Sequence, residues 1–387
     1  MNLPASAMWA LPWIAAPVVT AMRLTRSRSL DEASPVAPDD APFLTVIVPA
    51  RDEEENVERC LRSILASSYP RFEVVLVDDH SRDATRAIAE RIAREDARLR
   101  VVSAPDLPGG WFGKPWACSV GAREARGEIL CFMDADTTQS PDLLPRMVNT
   151  MLARDAGMLT VAGAQEMHTF WETLLQPQVF SMLLMRYGGT ESVNASRHEW
   201  DKIANGQCIA VRRAAYDAIG GHAAVRDKVA EDLMIAQRLF RAGVRTVLVL
   251  GIAQLSTRMY SSLGALVRGW RKNVYAGGID ALPRLAIARA IFPFGLLVFP
   301  VAELAPIATL LAAFALRGAV GATALAWAWI ATAALLVWWL AVYLRARRSP
   351  VWAALFPLGA VVLLWIILGA IARGRSVAWK GRSYRSG

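Results

Sequence analysis

Three short, largely apolar runs in the first part of the chain each stop at acidic residues: Leu44 to Val48, Glu73 to Val77 and Ile129 to Met133. The first leads into Pro49-Ala50-Arg51-Asp52-Glu53-Glu54-Glu55, the second into Asp78-Asp79-His80-Ser81, the third into Asp134-Ala135-Asp136. Apolar runs of this length without alternation suit strands buried on both faces of a parallel sheet. Val57, Leu61, Ile64 and Leu65 share one face of an intervening helix. Ala84, Ile88 and Ile92 share one face of the next, which Asp83 is placed to cap. Val101 and Val102 add another strand. The order β-α-β-α-β predicts a doubly wound α/β sheet, which binds ligands beyond the C-terminal ends of its strands. A lone Asp-x-Asp is usually a solvated turn, but three acidic clusters delivered to one crevice form a constellation.

The chemistry of that crevice follows from residue type. Asp134 and Asp136, two residues apart just past a buried strand, offer hard oxygens to Mg²⁺ or Mn²⁺, ions that bind substrate phosphates at the same time. The loop Gly109-Gly110-Trp111-Phe112-Gly113-Lys114 allows close backbone approach, and Lys114 can give a point charge to a phosphate. After Asp136 the pattern becomes mixed, with strands expected over Leu159 to Gly163 and Gln207 to Val211 and a turn at Asn205-Gly206. Val229-Ala230-Glu231-Asp232 opens a further helix. Its two carboxylates serve either as partners of the helix dipole or as an acidic pair in which like charge raises one pKa, as a general base requires. A helix is expected to aim only one of the two at the crevice.

The remainder is too apolar for an ordinary soluble protein. Of 387 residues 54% are hydrophobic, and the mean hydropathy is +0.30. Ala5 to Met22, Ile291 to Leu316, Gly321 to Leu344 and Val351 to Ile371 are each about long enough to span a bilayer. Arg23, Arg26 and Arg28 follow the first stretch, which fits a signal anchor that leaves the next domain in the cytoplasm. Pro4, Pro12 and Pro17 weaken that helix, so an interfacial segment also fits. Pro293, Pro300 and Pro306 are expected to break the next stretch, with Glu303 in its middle, so that it re-enters or Glu303 faces a cavity. Phe170 to Tyr187 fits a core helix pair or a segment against the membrane, and Ser262 to Asp280, with Arg268, Arg271 and Lys272, a basic helix lying on the surface. The net charge of +9 concentrates beside apolar runs, which points to lipid headgroups and not to nucleic acid. Cys60, Cys118, Cys131 and Cys208 form no Cys-x-x-Cys pair and read as reduced, buried residues of a cytosolic domain. Three C-terminal spans would put the basic tail outside, against the positive-inside tendency.

Taken together, these motifs resemble a family 2 glycosyltransferase of GT-A fold over Leu44 to Lys272. Val48-Pro49-Ala50-Arg51-Asp52-Glu53 resembles the opening nucleotide loop, with Asp52 where Asn is common. Asp78-Asp79-x-Ser81 resembles the uracil-binding motif, Asp134-x-Asp136 the metal-binding motif, and Glu231-Asp232 the catalytic pair in which the aspartate is the base. Val267-Arg268-Gly269-Trp270 stands where many membrane members carry Gln-x-x-Arg-Trp, which implies an acceptor-side role for Arg268 and Trp270. Trp111-x-Gly113-Lys114-x-Trp116-Ala117 and the tail Trp379-Lys380-Gly381-Arg382-x-Tyr384 are similar to the hopanoid-biosynthesis-associated glycosyltransferases, and carotenoid glycosyltransferases are related.

The resemblance implies an inverting transfer of sugar from a nucleotide sugar, UDP-linked, to a lipid hydroxyl of isoprenoid or hopanoid type. Pro49, Ala50, Arg51, Glu53, Asp78, Asp79, Lys114 and Asp134 would hold the donor, and Asp136 with Asp134 a divalent metal. Asp232, with Glu231, would be catalytic. The expected organisation is a membrane anchor over 1–28, a linker over 29–42, the GT-A domain (a Rossmann-like mixed sheet with helices on both faces) over 43–280, transmembrane helices over 281–372 and a basic tail over 373–387. The expected place is the inner (cytoplasmic) membrane, multi-pass, with the catalytic domain in the cytoplasm. A polysaccharide synthase of the same fold and a non-catalytic membrane scaffold are the competing readings.

Overall fold

The structure, a computed structural model, describes residues 5–283, 285–316, 320–374, 376–379 and 382–385. Pro4, Lys380 and Gly381, named above, lie outside the described residues.

The predicted βαβαβ start is present. Strand β1 (Leu44–Ala50), helix α2 (Val57–Leu65), β2 (Phe72–Asp78), α3 (Thr85–Glu95) and β3 (Leu99–Ser103) follow a long N-terminal helix, α1 (Ala5–Leu24). Then come α4 (Gly113–Glu124), β4 (Ile129–Met133), β5 (Thr137–Gln139), α5 (Leu143–Ala153), β6 (Met158–Ala162), β7 (Ala164–Gln165), α6 (Phe170–Tyr187) and α7 (Thr190–Ala195). Next are β8 (Cys208–Arg212), α8 (Arg213–Ala218), α9 (Glu231–Arg241), β9 (Thr246–Leu250), β10 (Leu255–Thr257) and α10 (Leu263–Ala281). The apolar remainder forms α11 (Ala286–Ala315), α12 (Ala322–Arg345), α13 (Val351–Ala354), α14 (Phe356–Arg373) and the strands β11 (Ser376–Trp379) and β12 (Arg382–Arg385).

The main sheet runs β3-β2-β1-β4-β8-β6-β9, with β5-β10-β7 as a small second sheet. Strands β3, β2, β1 and β4 are parallel, and β8 is antiparallel to both of its neighbours. The chain leaves β1 towards β2 and β3, then returns to place β4 on the other side of β1. The crevice beyond β1 and β4 is therefore a topological switch point, where open sheets bind ligands. Every residue of β2 and β4 is buried, as their largely apolar runs require, and the buried Glu73 of β2 accepts a hydrogen bond from the Thr45 hydroxyl at 2.9 Å. Neighbouring strands also bring Cys131 and Cys208, far apart in sequence, to 3.9 Å between sulfurs.

Several expectations are corrected here. The stretch over 29–42 is no free linker. Leu30 is fully buried, Ser29 and Glu32 form a capping box, and Asp31 accepts a hydrogen bond from Gln254 at 2.6 Å. Phe170 to Tyr187 is one helix and not a helix pair. The prolines of α1 and α11 sit inside continuous helices of 20 and 30 residues. Neighbouring helices can re-satisfy backbone groups freed by proline, which lets apolar helices carry it. Helix α10 does not lie on the surface. Leu266, Val267, Trp270 and Val274 form a buried cluster with Leu175 and Val179 of α6 and Leu363, Ile366 and Ile367 of α14. On α10, Gly277 abuts Ala230, and Gly278 lies under the ring of Phe292 in α11.

Helices α1, α11, α12 and α14 are each long and apolar enough to cross a membrane. Helix α14 is held by the α/β domain along its length. The Gln178 amide donates to the Phe356 carbonyl at 3.1 Å, and the Arg271 guanidinium stacks 4.3 Å from the Trp365 ring centre.

Candidate active site

The loops after β1 and β2 are tied to each other. Asp52 (φ 52°) and His80 (φ 58°) both adopt left-handed backbone. Asn and Asp tolerate that region better than other side chains, which is why Asp52 can stand where Asn is common. The Arg82 amide donates to Asp52 Oδ1 at 2.8 Å, and the Asp52 amide to Ser81 Oγ at 3.0 Å. The buried Arg51 guanidinium donates to the Asp79 carbonyl at 2.6 Å and lies 3.6 Å from its carboxylate. Asp78 does not line the crevice. It is buried and accepts from the Ser81 amide at 3.3 Å, so it shapes the turn.

Beyond β4 the carboxylates gather round one cation. Lys114 Nζ lies 2.8 Å from Asp134 Oδ1 and 2.9 Å from Glu231 Oε1. Burial opposes a charge on Lys114, but Asp134, Glu231 and Asp232 hold its amine well above the ordinary lysine range. Burial likewise opposes a charge on Glu231, yet Lys114 keeps that carboxyl below its usual range. Asp232 behaves in the opposite way: burial first, then the charge of Glu231, pushes it up to about 6. Its Oδ2 accepts from the Gly206 amide at 2.8 Å and its Oδ1 from the Leu233 amide at 2.8 Å. Both carboxylates of the pair line the cavity, contrary to the expectation that only one would. Glu231 reaches out to Lys114, while the shorter Asp232 folds back onto amides.

Asp136 has a different environment. Its Oδ1 is buried without a hydrogen-bond partner among the described residues. Burial and the charges of Asp134 and Glu53 push its carboxyl up to about 8. A buried carboxylate oxygen with no protein donor among the described residues, beside the carboxylates of Asp134 and Glu53, is a donor set that suits a hard divalent cation. Among the described residues no three His, Cys, Asp or Glu side chains assemble a metal cage, but Mg²⁺ and Mn²⁺ take one or two protein carboxylates and complete their shell with phosphates and water. Asp136 and Asp134 fit that mode.

Pro49, Ala50, Arg51, Glu53, Asp79 and Lys114 line one cavity with Asp134, Asp136, Glu231 and Asp232. The cavity measures about 1700 Å³ and continues past Arg268 and Trp270 along α10 to Trp13 of α1, Leu183 of α6, Phe292, Leu296 and Phe299 of α11 and Leu335 of α12. Trp270 is buried, and its indole donates to Gln176 at 3.2 Å. Arg268 is exposed at the cavity edge.

Sequence reasoning missed three residues here. Gly206 read only as a turn, yet a Cβ on it would sit 2.8 Å from Asp232 Oδ2. Lys272 read as surface charge, yet it lines the cavity, and burial lowers its pKa while Glu231, Asp134 and Asp232 act against that. His222, buried behind the carboxylates with its Nδ1 2.8 Å from the Tyr216 hydroxyl, is pushed down to about 3 by burial. No sequence motif flags His222.

Residues 45–220 match the family described as Glycosyl transferase family 2. The chain is 26% identical over 264 residues to a 4,4'-diaponeurosporenoate glycosyltransferase of Staphylococcus aureus, covering 65% of this chain and 66% of the relative. A protein of the same name from Staphylococcus haemolyticus is 26% identical over 246 residues, covering 62% and 64%. The alignment thus spans about two thirds of these relatives' length. Among solved structures, a Pyrobaculum calidifontis mannosyltransferase in complex with GDP-Man and Mn²⁺ superimposes with a TM-score of 0.57 at 21% identity over 95% of this chain and 97% of that one.

Proposed function

Starting from a chain that carries a family 2 glycosyltransferase domain on a GT-A fold, we propose that it is a membrane enzyme transferring a sugar, with inversion, from a UDP-linked donor to a lipid hydroxyl of isoprenoid or hopanoid type. The observation that carries this reading is the single cavity joining the carboxylate crevice to the apolar faces of α1, α6, α11 and α12. A crevice for a nucleotide sugar alone has no need of Leu296, Phe299 and Leu335. The same apolar lining argues against a growing polysaccharide as acceptor. The acceptor named for the staphylococcal relatives, a carotenoid acid, is also a lipid.

In this reading Asp79, tied to Arg51, faces the base of the donor. Lys114, held between Asp134 and Glu231, presents its charge to a phosphate. Asp136 with Asp134 would hold a divalent Mg²⁺ or Mn²⁺, which when bound neutralises the diphosphate that leaves. Asp232, oriented by the amides of Gly206 and Leu233, takes the proton of the acceptor hydroxyl at Oδ1 or Oδ2. The acceptor oxygen attacks the anomeric carbon from the face opposite the diphosphate. The C–O bond to the diphosphate breaks, and its electron pair leaves with the nucleotide. Glu231 remains paired to Lys114 and raises the affinity of Asp232 for the proton. Arg268 and Trp270 border the acceptor half of the cavity. The arginines after α1 and the β11 backbone lying against α10 support a cytoplasmic-membrane protein with the domain and both basic clusters on the cytoplasmic side.

The test is detergent-purified full-length protein with radiolabelled UDP-sugars, Mn²⁺ and isoprenoid alcohols. The expected outcome is metal-dependent formation of a glycolipid with inverted anomeric configuration. Failure to bind or consume any nucleotide sugar would remove the proposal.

A further inference from the structure

Within the apolar reach of the cavity, the wall of α11 contains a carboxyl group. Glu303 is 2% exposed and lines the cavity, midway along a 30-residue apolar helix. Its Oε1 accepts from the Trp339 indole at 3.0 Å, which joins α11 to α12. Its Oε2 is buried and has no hydrogen-bond partner among the described residues. Two polar groups on the surrounding helices are already committed. The Trp13 indole donates to the Ala302 carbonyl at 2.7 Å, and the Tyr343 hydroxyl to the carbonyls of Thr173 and Leu174 at 3.3 and 3.4 Å. A helix-to-helix strut needs one oxygen, which a glutamine would supply. The second oxygen bears a desolvation cost that nothing in the fold offsets.

We propose that Glu303 is a specificity residue for the acceptor: its carboxyl takes a hydrogen bond from a second hydroxyl on the lipid, distant from the hydroxyl that receives the sugar. The ligand class is an isoprenoid or similar apolar molecule with a polar group set within its body. This rests on the reading of the cavity as the acceptor site. A purely apolar lipid entering it leaves Oε2 unpaired, whereas a lipid with a hydroxyl at that depth pairs it. The cavity therefore selects among lipids by the position of a polar group as well as by length.

The experiment uses the full chain in detergent. Binding is read from quenching of tryptophan emission, with geranylgeraniol and a series of analogues bearing a second hydroxyl at successive isoprene units. In the parent, one analogue should bind about tenfold more tightly than geranylgeraniol, the worth of a buried hydrogen bond. Glu303→Leu should reduce that preference to about twofold or less, with UDP binding unchanged, whereas Glu303→Gln, whose amide can donate to the hydroxyl oxygen, should keep part of it. Glu303→Gln retains an acceptor for Trp339 and so guards against misfolding. A parent that binds every analogue like geranylgeraniol, or a Glu303→Leu variant that keeps the preference, overturns the proposal. Sugar transfer is assayed on the same preparations. A hydroxyl preference without transfer or donor hydrolysis removes the transferase reading and leaves the lipid site, and transfer without a preference does the reverse.

Discussion

Gly206 offers the most direct probe of the proposed catalytic geometry, because it touches Asp232, the proposed base, without carrying any chemistry. A Cβ built there lies 2.8 Å from Asp232 Oδ2 and 3.1 Å from Lys114 Nζ, against an ordinary contact of at least 3.4 Å. Its φ lies outside the left-handed region, so Gly206→Ala causes no backbone strain and acts through space alone. To restore contact, the carboxylate must retreat by about 0.6 Å, and the amide that orients it at 2.8 Å is pulled out of line. A misplacement of about 1 Å at a reacting centre costs roughly a hundredfold. Transfer by Gly206→Ala should therefore fall by roughly ten- to a hundredfold in kcat. Metal-dependent UDP binding should hold, because Asp79 and Asp136 lie in the loops after β2 and β4, and a shift of Lys114 should raise donor KM by less than kcat falls. The assay is steady-state transfer with UDP affinity measured separately on the same protein. A variant that transfers at the parent rate refutes the placement of Asp232 as base.

Other perturbations test the remaining assignments. Asp232→Asn should lower transfer by about two to four orders of magnitude while UDP binding survives. In the parent, kcat should decline as pH falls through about 6, because Asp232 then holds the proton it must be free to accept; a flat profile from neutral to acid pH would contradict this. Asp136→Asn should abolish the Mn²⁺-dependent part of UDP binding, and unchanged binding with and without Mn²⁺ would exclude Asp136 as the ligand. A reporter fused to the C-terminus should lie on the same side of the membrane as the catalytic domain, because α14 is bound by α6 and α10 of that domain and β11 lies against α10. A reporter on the opposite side would show that α14 crosses.

Much of the site could be read in the sequence because buried strands leave a local signature. The runs ending at Asp78, Asp134 and the Pro49 loop are contiguous, and the switch-point rule gathers them without knowledge of distant contacts. The carboxylates of Asp134 and Glu231, by contrast, meet only through Lys114, and no local pattern encodes that shared cation. Helix α10 was misjudged although its signal was present. Leu266, Val267, Trp270 and Val274 form a helical stripe, but Arg268, Arg271 and Lys272 between them suggested a wetted surface. Those long side chains are used inside: the Arg271 guanidinium covers Trp365, and Lys272 extends towards the carboxylates. The prolines of α11 misled for a related reason, since their cost depends on neighbours that a sequence does not display. Glu303 was visible as an oddity, but its partner Trp339 was not.

The two adjacent glycines of α10 have a mechanical consequence. Gly277 bears on Ala230, the residue that precedes Glu231 and Asp232, and Gly278 bears on Phe292 of α11. With no side chains between, a sliding or tilting of α11 is passed across one helix width to the start of α9. A mismatch between helix length and bilayer thickness is taken up partly by tilting, so in a bilayer α11 would carry such a change towards Glu231 and Asp232. Turnover in vesicles should then follow acyl-chain length at fixed headgroup, and a bulkier residue at either glycine should change that dependence.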